Sequence, residues 1–312
     1  MSRGLGFLPI VAVLTAACLG ASSGLYIKGV SLSGLALAAC RMGIPFLVVL
    51  PYVIRRGRAW GLPGHRRALW LASGVNAVRM LLFILAYKLT AVGNAVVLLY
   101  LWPVFALILD SIVHRKRPTL AQIGILVLAF GGVVVMNLHR NFTLSGTDLL
   151  GSSLMILSAA GFAVTAIIFK KALNEVHETD TLYFQNAIGA VVYLPFLLME
   201  WPTTPLPDLA LGLVYGLTVG LGGFGLFFFA MKRLPLFQYS ALAYSEVAFG
   251  LFFAVTVLGE TLVVNQGVGA VLVLVASFAA QNLRGRGDAE IRPAPDTPAV
   301  SQDPPSSNSW PR

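Results

Sequence analysis

Ten apolar segments, each long enough to cross a bilayer as a helix, account for nearly all of this chain. The hydrocarbon core of a bilayer is about 30 Å thick, so a spanning helix needs roughly 20 apolar residues. The segments fall at residues 6–26, 33–54, 68–88, 93–113, 120–138, 149–170, 182–200, 209–231, 238–258 and 264–282. We therefore predict an all-α polytopic membrane protein with ten transmembrane helices.

Composition and charge agree with this class of protein. Only 11% of the residues are charged, whereas a soluble domain carries about 25%. The net charge of +9 is explained by basic cytoplasmic loops, because Lys and Arg concentrate on the cytoplasmic side of membrane proteins. We expect the lipid bilayer as a partner and no nucleic acid.

The basic residues also predict the orientation. With a cytoplasmic N-terminus, 17 of them fall on the cytoplasmic side, and Lys28, Lys88 and Arg140 fall on the outer side. The positive-inside rule then places both termini in the cytoplasm. We expect an integral protein of the inner or plasma membrane.

An internal repeat divides the chain into two halves. Residues 82–131 match residues 226–275 at an offset of 144 positions, and such a fixed offset indicates two homologous units. The polar and aromatic matches pair Lys88 with Lys232, Tyr100 with Tyr244 and Gln122 with Gln266. Each half has five helices, an odd number, so the second half crosses the membrane upside down. Inverted repeats with a site between them near the midplane are typical of secondary transporters.

The predicted domain boundaries follow from this repeat. The first five-helix repeat covers residues 1–140, the second covers residues 141–283, and a tail covers residues 284–312. The tail is rich in Pro, Ser and Asp without an apolar period, so we expect it to be disordered and cytoplasmic.

Motifs for catalysis, metals or cofactors are not found in the sequence. Cys18 and Cys40 lie in apolar segments and are interpreted as packing residues, and the histidines lie in loops without ligand spacing. No P-loop, CxxC or GxSxG pattern occurs. We expect no enzyme activity, no metal and no cofactor. The spacing of Gly20 and Gly24 suits close helix packing.

Four ionisable residues lie inside apolar segments: Arg41, Arg79, Asp110 and Glu246. Such a group costs about 2.5–3.5 kcal/mol at the bilayer centre on insertion scales, so it needs a partner or water. Arg79 and Glu246 are predicted near the midplane, and Arg41 nearer the outer side. Asp110 is near the cytoplasmic end of helix 4, where we expect a structural pair with Arg115 or Lys116.

Two interpretations of the buried arginines stay open. One is a structural ion pair between Arg79 and Glu246 that joins the halves. The other is that Arg79 or Arg41 binds a substrate carboxylate or phosphate through paired hydrogen bonds. For Glu246 we hypothesise a role in binding a proton or an amine.

Polar and aromatic residues complete the predicted site. On helix 3, Asn76, Arg79 and Tyr87 share one face, which should face a cavity or a polar partner. Tyr100 and Tyr244 hold equivalent repeat positions, so a symmetric pair at the cavity is one interpretation and packing is the other. The predicted substrate-binding set is Arg41, Asn76, Arg79, Tyr87, Tyr100, Trp102, Asn186, Tyr244 and Glu246.

Several segments resemble the EamA-like branch of the drug/metabolite transporter superfamily over residues 6–282. They are Asn94–Phe105, Gln122–Gly124, Leu258–Leu262 and Gln266–Gly269. Arg41 is similar to an arginine often found early in helix 2 of that family. Lys116 replaces the usual acidic residue of the first hairpin, and Val247 replaces the usual proline of helix 9. The resemblance implies two five-helix repeats and alternating-access transport of small metabolites.

The function expected is secondary transport, because no nucleotide-binding motif is present. The expected substrates are amino acids or related carboxylate-bearing solutes. Neutral, phosphorylated or cationic solutes such as sugars, nucleotide sugars and drugs are the alternative, and a non-transporting scaffold is a remote one. The substrate itself, the direction of transport, coupling to protons and a homodimeric state stay open.

Overall fold

A computed structural model describes residues 7–138, 146–259 and 261–283, and these ranges contain ten helices that are long and apolar enough to cross a membrane. The predicted all-α fold with ten transmembrane helices is confirmed. The helices are α1 (Leu8–Ile27), α2 (Gly34–Arg55), α3 (Arg66–Leu89), α4 (Asn94–Val113), α5 (Leu120–Asn137), α6 (Gly146–Ala172), α7 (Glu178–Thr203), α8 (Leu206–Arg233), α9 (Leu236–Thr256) and α10 (Val264–Asn282). Arg140, Glu260 and the predicted tail lie outside the described residues.

Helix starts follow from local capping chemistry. The Ser33 hydroxyl accepts a hydrogen bond from the amide of Ala36 at the start of α2. At the start of α5, Thr119 and Gln122 exchange side chain–backbone hydrogen bonds in a capping box. Both devices satisfy amide groups that have no partner inside the helix.

Two helices are interrupted at equivalent repeat positions. The helical run of α4 pauses at Tyr100 and Leu101, between Val92–Leu99 and Trp102–Val113. The run of α9 pauses at Tyr244, between Leu236–Ala243 and Ser245–Thr256. In α4 the pause precedes Pro103, which has no amide hydrogen to continue the helical bonding. Interrupted helices in corresponding positions of two halves mark the binding region in many transporters.

Equivalent helices of the two halves pack against each other. α2 packs along α7, and α5 packs along α10. Where an element meets its own counterpart, the approximate twofold axis that relates the halves must pass between them. We call this line the repeat axis; for inverted repeats it lies in the membrane plane. It therefore runs from the α5–α10 contact through the centre of the protein to the α2–α7 contact.

The α5–α10 contact is a close approach of two backbones. A Cβ atom added to Gly132 would lie 2.7 Å from the carbonyl oxygen of Gly269, and the reverse addition also collides with backbone. Such distances do not occur for real side chains. Glycine at both positions therefore allows the two helices to touch at this end of the repeat axis.

The loops at residues 56–65, 114–119 and 173–177 form one face, which we call the basic face. Asp180, 1% exposed, pairs with Arg58 of the other half at 3.1 Å. Glu178 pairs with Arg233 at 2.8 Å. Asp110 places its Oδ1 3.1 Å from Nδ1 of His114, and its pairing with Arg115 or Lys116 stays a prediction. Assigning this face to the cytoplasm stays a prediction.

The opposite face is joined by serines and carboxylates. The Ser33 amide donates to Oε2 of Glu200 at 2.9 Å, and the Ser33 hydroxyl donates to Oε1 of the same carboxylate. Ser31 makes the same two kinds of hydrogen bond to Asp208. Both contacts join the α1–α2 loop to the second half, so each face of the protein carries contacts between the halves.

Candidate functional site

Tyr100 and Tyr244 meet on the repeat axis. Their ring centroids are 5.8 Å apart with an interplanar angle of 28°. The Tyr244 hydroxyl donates a hydrogen bond of 2.8 Å to the backbone carbonyl of Tyr100. The two interruptions in α4 and α9 are therefore in direct contact. The structure brings the predicted symmetric pair together.

Arg41 also lies on the repeat axis. Its guanidinium carbon is 4.7 Å from the ring centroid of Phe224, and Nη1 is 3.3 Å from the sulfur of Met80. Met80 and Phe224 are 144 positions apart, so Arg41 contacts both members of an equivalent pair. Arg41 is seven residues from Gly34 at the start of α2, or about 10 Å along the helix, and its predicted position nearer the outer side stays a prediction. Within the described residues its guanidinium has no carboxylate or carbonyl partner.

A close helix contact holds Arg41 in place. Gly220 belongs to a π-helical turn at Gly216–Gly223 of α8. A Cβ atom added to Gly220 would collide with the carbonyl oxygen of Arg41 and lie 3.2 Å from its carbonyl carbon. The backbone of α2 therefore rests directly on α8 at the level of Arg41, which fixes the base of its side chain.

Arg79 is held by neighbours in both halves. Its guanidinium carbon lies 4.4 Å from the ring centroid of Phe162. Its Nε donates to the Asn76 side-chain oxygen at 2.9 Å, and the Asn76 amide donates to the Gln185 carbonyl at 2.8 Å. Asn76 is therefore a positioning residue for Arg79, which is 6% exposed.

Glu246 has a different environment from the one predicted. Its carboxylate lies against the backbone of Gly20 in α1, where an added Cβ atom would be 2.8 Å from Oε1 and 3.0 Å from Cδ. In the part of the chain that the structure describes, the carboxylate makes no hydrogen bond or ion pair. The ion pair between Arg79 and Glu246 is thus not formed in this structure.

A chain of aromatic rings connects the two arginines. Phe224, beneath Arg41, is 5.4 Å from Phe227, which is 6.0 Å from Phe162, beneath Arg79. Trp102 lies edge to face with Phe162 at 4.8 Å. Tyr239 lies edge to face with Phe227, also at 4.8 Å. The centre of the protein therefore combines two cations, one carboxylate and a continuous apolar surface.

Two predicted residues have local partners instead. The Asn186 side-chain amide donates to the carbonyl of Leu182 in its own helix at 2.8 Å. Tyr87 packs edge to face against Phe83, with centroids 4.7 Å apart, and lies within electrostatic range of Tyr100. The contacts described for these side chains do not include Arg41, Arg79 or Glu246.

Sequence reasoning missed Gly20, Phe162, Phe224 and Tyr239. An aromatic residue on an apolar helix looks the same whether it faces lipid or the centre, so Phe162, Phe224 and Tyr239 carried no usable signal. Gly20 was predicted to support helix packing, and its contact turns out to be the Glu246 carboxylate.

Comparisons with known proteins match both halves of the chain. The model of the EamA-like transporter family matches residues 7–138 and 149–280. The chain is 25% identical over 184 residues to an uncharacterized transporter, YcxC, of Bacillus subtilis, a match that covers 55% of this chain and 59% of that protein.

Two further relatives have names that specify cargo. The chain is 27% identical over 237 residues to a probable terminal-alkyne amino-acid exporter of Streptantibioticus cattleyicolor, covering 75% of this chain and 77% of that protein. It is 27% identical over 259 residues to an S-adenosylmethionine uptake transporter of Rickettsia prowazekii, covering 80% and 83% respectively.

Proposed function

The chain belongs to the EamA-like transporter family and is a membrane transporter of small metabolites, and we propose that its substrates are amino acids or related carboxylate-bearing solutes. The observation that carries this proposal is Arg41. It lies on the repeat axis, and its described neighbours are a phenylalanine ring and a thioether. A substrate carboxylate would supply the anionic partner that these neighbours do not.

The energetic argument compares two kinds of partner for Arg41. A cation–π contact contributes about 0.5–2 kcal/mol, and a thioether is a weak acceptor. A carboxylate forms two parallel charge-assisted hydrogen bonds with a guanidinium, each roughly twice as strong as a neutral one. An arginine inside a membrane-spanning helix therefore gains more from an anionic substrate than from these resident neighbours.

The remaining groups suit the other parts of such a substrate. We propose that Glu246 binds the amine or carries a proton, and that the rings of Phe162, Phe224 and Phe227 contact the apolar part. Relatives named for an amino acid and for S-adenosylmethionine, an amino-acid derivative, support this class. One is named an exporter and the other an uptake transporter, so the names do not favour a direction.

A cationic solute is the second candidate, and Glu246 is the observation that favours it. Its carboxylate lies against Gly20 and is unpaired within the described residues. Such a solute would not need Arg41. The dependence of binding on Arg41 therefore separates the two candidates.

The test is a ligand-induced thermal shift of the purified protein, followed by flux in proteoliposomes. A ligand at 100 times its Kd adds about 2.7 kcal/mol to the apparent stability, which a thermal shift detects. The panel contains amino acids, simple carboxylates, sugars, nucleotide sugars and organic cations. We expect shifts with amino acids that are lost in Arg41→Ala.

The control variant is Arg56→Ala. Arg56 also rests on an aromatic ring, that of Tyr52 at 4.8 Å, but it lies at the basic face. The Arg56→Ala variant should therefore show the same ligand-induced thermal shifts as the wild-type protein. A shift with cations or sugars alone, unaffected by Arg41→Ala, would overturn the carboxylate assignment.

A further inference from the structure

The two halves fill equivalent helix junctions with different chemistry. Trp102 and Glu246 are 144 positions apart and hold the same place in α4 and α9. In the first half, Trp102 packs against Phe162 of α6 at 4.8 Å. In the second half, Glu246 packs against Gly20 of α1. A junction that contains two rings therefore corresponds to one in which a carboxylate lies against a glycine.

The Glu246 junction lacks a cation of its own. A carboxylate inside the membrane needs a partner, water or a proton, and none of the described residues pairs with it. A substrate ammonium group would supply the cationic partner that the described residues do not.

We propose that Gly20 is a specificity-determining residue: because it has no side chain, the Glu246 carboxylate can lie against the backbone of α1, and this position determines how large a substrate ammonium group can bind to it. The inference rests on the proposed function, because it assigns the amine end of the same substrate. The inference identifies Gly20 as the residue that sets the size of the space beside Glu246, which we call the amine subsite, and so the class of amine that binds there. The carboxylate end remains with Arg41.

An alanine at position 20 tests this idea without threatening the fold. Its Cβ atom would lie 2.8 Å from Oε1 of Glu246, so the carboxylate must move. The colliding atoms belong to the end of a flexible side chain, and the shift is therefore inexpensive. The moved carboxylate would occupy space that the ammonium group needs.

The matched control is on the same helix. A Cβ atom added to Gly24 meets nothing within 4 Å, so Gly24→Ala makes the same chemical change in open space. Any general effect of alanine on α1 appears in both variants, whereas an effect on the amine subsite appears in Gly20→Ala alone.

The experiment measures Kd by thermal shift for three compounds. They are the standard amino acid that raises the Tm of the wild-type protein most, the N-methyl derivative of that amino acid, and its analogue without the amine. We expect Gly20→Ala to raise the Kd of the N-methyl derivative by about tenfold or more. The Kd of the parent amino acid should rise less, and the Kd of the amine-free analogue should not change. Gly24→Ala should change none of them.

A double-variant comparison distinguishes the subsite from a packing effect. In Glu246→Ala, the amine-bearing compounds should bind more weakly, and adding Gly20→Ala should have little further effect, because no side chain remains at position 246 for the new methyl group to displace. A full additional loss would overturn the subsite. So would equal weakening of all three compounds, or equal effects of Gly20→Ala and Gly24→Ala.

Failure of the proposed function gives a different result. If no amino acid raises the Tm of the wild-type protein, the proposed function and the amine subsite are both overturned. If amino acids and amine-free analogues bind wild type equally and depend on Arg41, the proposed function stands and the subsite is overturned.

Discussion

Tyr244 donates its hydroxyl hydrogen to the carbonyl oxygen of Tyr100 at 2.8 Å, and each of these residues is the repeat counterpart of the other. The bond runs in one direction: within the described residues, the Tyr100 hydroxyl has no hydrogen-bond partner. If the halves exchange conformations when the site opens to the other face, the reciprocal bond from Tyr100 to Tyr244 replaces this one.

The first prediction follows from this asymmetry. Tyr244→Phe removes a bond of the described state, worth about 1 kcal/mol, and should change the ratio of the two states about fivefold. Tyr100→Phe should shift the ratio in the opposite direction. Hydrogen exchange in the loops at 28–33 and 56–65 reports opening at each face, and changes of the same sign in both variants would contradict the exchange of donors.

The second prediction concerns the buried carboxylate at the basic face. Arg58→Ala leaves Asp180 without its ion-pair partner, a loss of about 3–5 kcal/mol for a fully buried pair. Arg58 is itself 35% exposed, so we expect about 1–2 kcal/mol. Thermal unfolding in detergent measures the loss, and adding Asp180→Asn should restore part of it. An unchanged Tm in Arg58→Ala would show that the pair does not stabilise this face.

The third prediction compares two buried asparagines. Asn76→Ala removes the bonds to Arg79 and to the Gln185 carbonyl, and should lower stability by about 2 kcal/mol and reduce flux. Asn186→Ala removes one bond within its own helix and should have the smaller effect on both. Equal losses of flux would contradict a positioning role specific to Asn76.

The fourth prediction tests proton coupling at Glu246. If its carboxylate carries the coupled proton, flux in proteoliposomes should depend on pH in the wild type and lose that dependence in Glu246→Gln. Glu200→Gln is the control, since Glu200 is a carboxylate that already accepts hydrogen bonds from Ser33. A Glu246→Gln protein that keeps both its rate and its pH dependence excludes this role.

The fifth prediction concerns the α5–α10 contact. Gly269→Ala forces a methyl group against the backbone of α5, and overpacking of this kind costs about 1–3 kcal/mol. Gly124→Ala, also on this pair of helices, adds its methyl group in open space and should leave the Tm unchanged. Equal Tm values for the two variants would contradict the close approach.

Most of the fold could be predicted because each helix must be apolar over the thickness of the bilayer. The largest error was at the start of α7, which begins at Glu178 rather than residue 182. Glu178 and Asp180 occupy its first turn, where they pair with Arg233 and Arg58. Charged residues at a helix end look like loop residues when their partners are not known.

The site could be predicted only in part. Arg41, Glu246, Tyr100 and Tyr244 were recognisable, because charges and repeated tyrosines are rare in such helices. Their partners were not, because contacts depend on how each helix is rotated. Arg79 illustrates this: its helix face was predicted, but its partner is Asn76 on that same face rather than Glu246.

The backbone contact between Gly132 and Gly269 also bears on access from the lipid phase. A shallow groove between α5 and α10, lined in part by Gly124, Leu128 and Ala279, leads towards this contact. Because the two backbones touch at Gly132 and Gly269, neither an acyl chain nor a dissolved apolar compound can pass between the helices at that level. A solute that enters this groove from the bilayer must therefore reach the centre at another level or between other helices.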